Sequence, residues 1–442
     1  MSAIAGATSQ PEQRSRFGAR ESADKPGRER RRSAAFWMLI AFFVLEYIRP
    51  EPFVQLRFQM VCLYVFPILW LAQPRHRRPW SGNLTLQVLF LGLCALSVSF
   101  ATNTYSAYLT TRTVYGHVVI ALAIIWLLSN RRDFIFGSWF WVLIMAFQAC
   151  YSVLNGGHGM GASLGDENDL ALGLNTAVPF AFVGFRTYRG WQRWGCGALF
   201  VLLLAGIVAS LSRGGFVGLV AVIIYCVLVG RHPLRNLSIA LVGSLVFYLV
   251  IPESYKTEVA SIKDTDQGTA ESRRFLWTAA FNMWRENPAL GVGAGNSIWN
   301  LGRYQPRLQI GLFSEPEFQD RDWSMTPIHS AFFQLLAETG TIGILLFGAI
   351  VWGHFAGLSA LRGRVKRDAR ASPWLRKNTE LYAVALGGSM AGYLASGAFL
   401  SVAYYPYPWY FSAFAVALTR AVDAQLSRSH SRKDLGEPLH GV

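Results

Sequence analysis

The stretch "SMTPIHSAFFQLLAETGTIGILLFG", Ser324 to Gly348, decides how this chain is built. It carries a histidine into the start of a long apolar helix and sets a glutamate inside it. An apolar run of this length reads as a membrane-spanning helix. Thr326 suits the N-cap, Pro327 the first helical position, and His329 then falls in the first turn. The positive end of the helix dipole disfavours imidazolium there, so a neutral His329 can accept a proton. The plainer alternative is an interfacial histidine bonded to a loop. Glu338 lies nine residues on, about 180° round the helix, so the two are not a direct acid–base pair. An intramembrane Glu usually faces the bundle interior, which gives Glu338 a structural or conformational role. Gly340, Gly343 and Gly348 offer small surfaces for close helix packing.

Similar apolar runs recur along the 442 residues, which are 52% hydrophobic, with a mean hydropathy of +0.28. The runs do not alternate apolar and polar residues, which excludes a membrane barrel. The expected fold is all-α, a polytopic transmembrane helical bundle of about twelve spans, with a long and partly helical outer loop. The spans fall near 35–48, 53–72, 84–101, 113–129, 134–153, 168–186, 194–211, 214–230, 235–251, 329–358, 380–402 and 405–422. The expected division is a disordered cytoplasmic tail over 1–33, helices one to nine over 34–251, an outer loop lobe over 252–328, helices ten to twelve over 329–422, and a cytoplasmic tail over 423–442. The Arg-rich start lacks a small-x-small cleavage site, so it does not read as a cleavable signal peptide. The five cysteines lie in or beside apolar runs and show no metal-ligand spacing.

Charge sorts the connections into two sets. "RERRR", "QPRHRRPW", "SNRRD", "RTYRGWQRW", "GRHPLR", "LRGRVKRDARASPWLRK" and "SRSHSRK" are all basic. The alternating set, "RPEP", "ATNTYSA", "NGGHGMGASLGDEN", "SRGG", 252–328 and "YYPYPWY", is weakly basic or mixed. The positive-inside rule then puts both termini in the cytoplasm. It also accounts for the net charge of +15, which in a soluble protein would suggest nucleic acid; no nucleic-acid partner is expected here.

The outer connections hold the candidate chemistry. In "LSRGGFVGL", Arg213 sits between two spans, either as a solvated interfacial arginine or as an anion contact whose planar fork matches phosphate. "TAESRRFLWTAAFNMWRENP" reads as a helix, capped by Thr269 and ended by Asn287–Pro288. Its Phe275, Trp277, Phe281 and Trp284 suit packing on the membrane face or the bundle. Arg273 and Arg274 on it point about 100° apart, so both do not serve one site. "ENPALGVGAGN" has nucleotide-loop glycine spacing, but no strand precedes it and no Lys-Ser/Thr follows; it reads as a turn returning the loop helix to the bundle. Asp166, Glu167, Asn168 and Asp169 read as helix-start capping, and His158 as solvated. Arg49, Arg57 and Arg112 lie near outer span ends, where they would add positive potential. Tyr404, Tyr405, Tyr407, Trp409 and Tyr410 read as an interfacial aromatic belt.

In order, "SRGG", "SRRFLW…NPALGVGAGN" and "HSAFFQLLAETGTIGILL" resemble the O-antigen ligase/polymerase superfamily of bacterial inner-membrane glycan transferases, over roughly Asp166 to Gly348. The resemblance implies transfer of a glycan from a polyprenyl-diphosphate-linked donor to an acceptor hydroxyl, on the periplasmic face, without metal or cofactor. The acceptor would be a glycan, lipid A core or a protein. By the same resemblance Arg213, Arg273 (four residues before Trp277) and His329 carry catalysis. Arg274, off the pattern, takes second place as a substrate contact with Arg112 and Arg57, and Glu338, Gly340 and Gly343 are structural. The ligase reading is narrowly preferred to a polysaccharide polymerase with the same site. A lipid-linked glycan transporter is the alternative from another class; against it, the halves show no repeat and the site lies away from the midplane.

Overall fold

The computed structural model describes residues 32–48, 58–74, 78–161, 163–230, 237–238, 269–306, 323 and 325–434. Among these the chain is all-helical. The helices are α1 (Ala34–Tyr47), α2 (Phe58–Leu71), α3 (Gly82–Ser97), α4 (Thr104–Leu127), α5 (Arg131–Leu154), α6 (Glu167–Thr187), α7 (Gly190–Ala209), α8 (Arg213–Val229), α9 (Thr269–Glu286), α10 (Ser297–Tyr304), α11 (Ala331–Arg367), α12 (Pro373–Gly397) and α13 (Tyr407–Asp434). Five of them, α4 to α7 and α11, are long and apolar enough to cross a membrane, and α1, α2, α3 and α8 are apolar but shorter. The expected ninth span, 235–251, lies almost wholly outside the described residues, as do Arg49 and Arg57. Outward-facing Ile68, Leu228, Leu345 and Trp352 are more than half exposed, an apolar surface that suits lipid and would be a liability in water. The chain is a helical membrane protein.

Local signals start the helices. Ser33, Ser81, Asn103, Asn130, Asp166, Ser212, Ser330 and Ser372 each accept a first-turn amide with their side chain, satisfying donors that a helix start leaves open. The Asn103 cap starts α4 well before the expected 113, because "TYSAYLTTRT" is polar yet helical. At the other end of the chain, α13 runs through to Asp434, into the stretch expected as a tail. In the centre, α6, α8 and α12 pack tightly. The Asn175 amide donates to the Gly215 carbonyl at 2.8 Å and the Ser396 hydroxyl to the Gly214 carbonyl at 3.0 Å. Small residues allow this approach, and polar side chains join the helices across it.

Contacts gather the connections at two opposite ends of the bundle. At one end Arg32 pairs with Asp133, Arg131 lies over Trp374, Arg362 joins Glu380 to the Val229 carbonyl, and Arg420 reaches the Trp80 carbonyl. These are all from basic connections or their flanks. At the other end Ser212 bonds Asn168, Asn103 bonds Asn296, and Ser401 bonds the backbone of His329. These are from the weakly basic set.

The helix that follows His329 is broken. At 37 residues, a straight α11 would run about 55 Å, nearly twice the hydrocarbon core of a bilayer. Gly340 interrupts it at φ 62°, ψ −161°, a region essentially reserved for glycine. The freed backbone groups bond the "NPALGVG" turn. Val292 and Gly293 amides donate to the carbonyls of Ala337 and Glu338, and the Thr341 and Ile342 amides donate to those of Pro288 and Ala289. The break is thereby satisfied by protein, as a non-helical segment near lipid requires. A Cβ on Gly340 would lie 2.5 Å from the Ala289 carbonyl carbon. Gly340→Ala is therefore expected to lose at least about 3 kcal/mol by strain and clash together, read as a lowered midpoint of detergent unfolding. Gly348→Ala, with open space around it, should stay within about 0.5 kcal/mol.

Four expectations change. Gly348 is not a packing surface, and Gly340 is a break, while Gly343 does pack, with Leu93 at 3.3 Å from its would-be Cβ. Ser330, not Thr326, caps α11, so Pro327 and His329 precede the helix. The angle drawn between His329 and Glu338 assumed one continuous helix and does not apply. Finally, Tyr407, Trp409 and Tyr410 are at most 2% exposed. They pack on Trp141, Phe90 and Phe43 inside the bundle and form no interfacial belt.

Candidate active site

Three segments far apart in sequence meet at the weakly basic end. Ser212 fixes the start of α8 by accepting from Gly215 and donating to Asn168 at 2.8 Å, which sets Arg213 at the first helical position. On α9, Phe275 is buried against Trp323 at 4.8 Å, and Trp277 stacks on Phe333 at 5.2 Å and 13°. These anchors hold Arg273 half-buried, 5.8 Å over the Phe399 ring. His329 lies just before α11, its amide donating to the Ser401 hydroxyl at 2.8 Å.

The side chains are linked in series, Arg213 to Arg273 and Arg273 to His329. Burial lowers the Arg273 pKa, and the nearby Arg213 charge lowers it further. Burial likewise lowers the His329 pKa, with the Arg273 charge adding to it. A histidine beside a cation in a desolvated setting stays neutral and can take a proton. Two arginines held close cost repulsion that a bound dianion would relieve. The backbone is strained here as well. Among the described residues the non-glycine residues at positive φ are Leu211, Met325 and His329, all within four residues of Arg213 or His329. Such conformations persist only where surrounding contacts enforce them, and they concentrate at functional sites.

The remaining candidates separate. Arg274 is exposed, and the charges that act on Arg273 and His329 do not include it. Arg112 is exposed against Met60 on α2, and the charges that act on Arg273 and His329 do not include it. Arg57 lies outside the described residues. Glu338 is buried and accepts from the Gly295 amide at 2.7 Å, the Ser297 amide at 3.2 Å and the Ser297 hydroxyl at 2.5 Å. It thus fastens the glycine turn and the start of α10 to α11. His158 is exposed, 3.6 Å from Glu167, and Asp166 caps α6. Phe399 and Ser401 were not found from the sequence; nothing in "GAFLSVAYYP" marks a residue whose role is to support another segment's histidine.

Fold and site define a class: a helical membrane protein with two arginines and a histidine gathered at one end of its bundle. The segment 198–348 matches the family model described as O-antigen ligase. The matched segment holds Arg213, Arg273 and His329, and the resemblance drawn from the motifs is borne out. A protein of Rickettsia conorii named "Putative polysaccharide ligase" is 24% identical over 172 residues. The match covers 38% of this chain and 40% of that protein, so the chain spans about two fifths of its relative's length.

Proposed function

We propose that this protein transfers a glycan from a polyprenyl-diphosphate donor to an acceptor hydroxyl, at the outer face of a bacterial inner membrane. The observation that carries the proposal is the meeting of Arg213, Arg273 and His329 at one end of the bundle, where burial and the Arg273 charge lower the histidine's pKa. The acceptor oxygen attacks the anomeric carbon as its proton passes to His329. The bond from that carbon to the diphosphate oxygen breaks with inversion, and the leaving diphosphate keeps the electron pair. Negative charge growing there meets fixed guanidinium groups, which stabilise it most at the transition state. The lipid tail stays in the bilayer throughout. The ligase form of the reaction is preferred to polymerisation because both the family description and the relative's name are those of ligases; lipid A core is the acceptor proposed for that form.

Reconstitution with a defined lipid-diphosphate glycan and separate acceptors tests the proposal. Release of polyprenyl diphosphate with a glycosylated lipid A core is the expected outcome. Growth of the glycan on its own donor would replace the ligase with a polymerase. Movement of intact donor across the bilayer, with no diphosphate released, would replace the enzyme with a transporter.

A further inference from the structure

Arg213 begins α8 and Gly230 follows its last residue, 17 residues further along, or about 25 Å away. At that far end lies a cavity, away from the histidine site. Its volume is about 500 Å³, and it lies between the ends of α6 and α8 and the starts of α7 and α12. Four cations line it: Arg186, Arg189, Arg193 and Lys377. The carboxylate in its wall, Glu380, is held by Arg362 through bonds of 2.6 and 2.9 Å, so the lining has a surplus of positive charge. Its inner wall is apolar, with Phe182, Val183, Leu381 and Val384. Beside it Trp191 and Trp194 are 81% and 70% exposed, in the manner of aromatic residues at a membrane–water boundary.

We propose that this cavity binds the phosphate headgroup of an anionic phospholipid from the adjacent leaflet. Positive-inside topology accounts for basic loops at this end, but it does not call for a cavity or for an apolar wall behind the charges. The volume is in the range of ligand sites, and basic pockets between membrane helices are a recognised form of headgroup site. The arginine forks can hold the phosphodiester while the apolar wall takes the glycerol and the first methylenes of the chains. The site is independent of glycan transfer and would hold even if the reading of the histidine site were wrong.

The test uses the full chain in nanodiscs of phosphatidylcholine with and without phosphatidylglycerol, with retained lipid measured by native mass spectrometry after detergent washing. Wild type is expected to retain phosphatidylglycerol over phosphatidylcholine. Arg186→Gln/Arg189→Gln/Lys377→Gln should weaken that retention on the order of a hundredfold, at roughly fivefold per charge. Lys377→Gln alone, an exposed change, gives a graded loss that does not depend on the triple variant folding normally. Arg364→Gln/Arg367→Gln removes charge from the same end outside the cavity and should retain lipid as wild type does. Equal loss in that control would overturn the proposal in favour of general surface attraction. Saturable binding of inorganic phosphate with no lipid preference would overturn it in favour of a soluble anion.

Discussion

His329→Ala is expected to lower glycan transfer by two to four orders of magnitude, the usual worth of a positioned general base, while the protein stays folded. The working form is the neutral imidazole. Burial first, and the Arg273 charge second, hold its pKa below the ordinary value of 6.5. Activity should thus be full at neutral pH and fall only as pH drops through that lowered pKa, placing the acid limb below about 6.5. Arg273→Gln removes one of the two lowering influences, so its residual activity should show an acid limb shifted toward neutral pH. A purely structural histidine would not couple to Arg273 in this way. The measurement is kcat/KM against pH for wild type and both variants. Wild-type rates in His329→Ala, or an acid limb that does not respond to Arg273, would remove the histidine from its proposed role.

The sequence made the helices legible because lipid demands long apolar runs, and a run survives without knowledge of its partners. The motif residues Arg213, Arg273 and His329 were singled out by a family resemblance; by residue pattern alone each also reads as a solvated or interfacial side chain, and Arg273 looks no different from its neighbour Arg274. Long-range partnership was not legible. Gly340 reads as one more small residue in an apolar helix, because its break depends on the "NPALGVG" turn that fills it from some fifty positions upstream. Thr326–Pro327 has a valid start signal, yet Ser330 wins the cap; a helix begun at Pro327 would take His329 out of the left-handed conformation that the Ser401 hydroxyl holds. Tyr407, Trp409 and Tyr410 have the composition of a lipid-interface belt. Their burial is decided by Phe43, Phe90 and Trp141, three other helices' aromatic residues, which composition cannot place.

Arg273→Ala should separate function from stability. Removing a cationic group aimed at developing negative charge is expected to lower transfer by two to three orders of magnitude. Stability should hardly change. Arg273 is half-buried beside Arg213, so its removal relieves repulsion and desolvation, while the contact over Phe399 that it gives up is worth only about 0.5–1 kcal/mol. A side chain that the fold does not need, kept in a setting that disfavours its own charge, is best accounted for by a ligand. Arg273→Lys keeps the charge and loses the planar fork, so it should recover part of the rate. A stable diphosphate-lipid analogue should raise the unfolding midpoint of wild type and do so much less for Arg273→Ala, since only a ligand that binds the folded state shifts that equilibrium. Arg274→Ala is the internal comparison. It removes the same charge one residue along the same helix, from an exposed position, and should cost no more than a few-fold. If the two alanine variants lose activity equally, general positive potential is responsible and Arg273 has no special place at the leaving group.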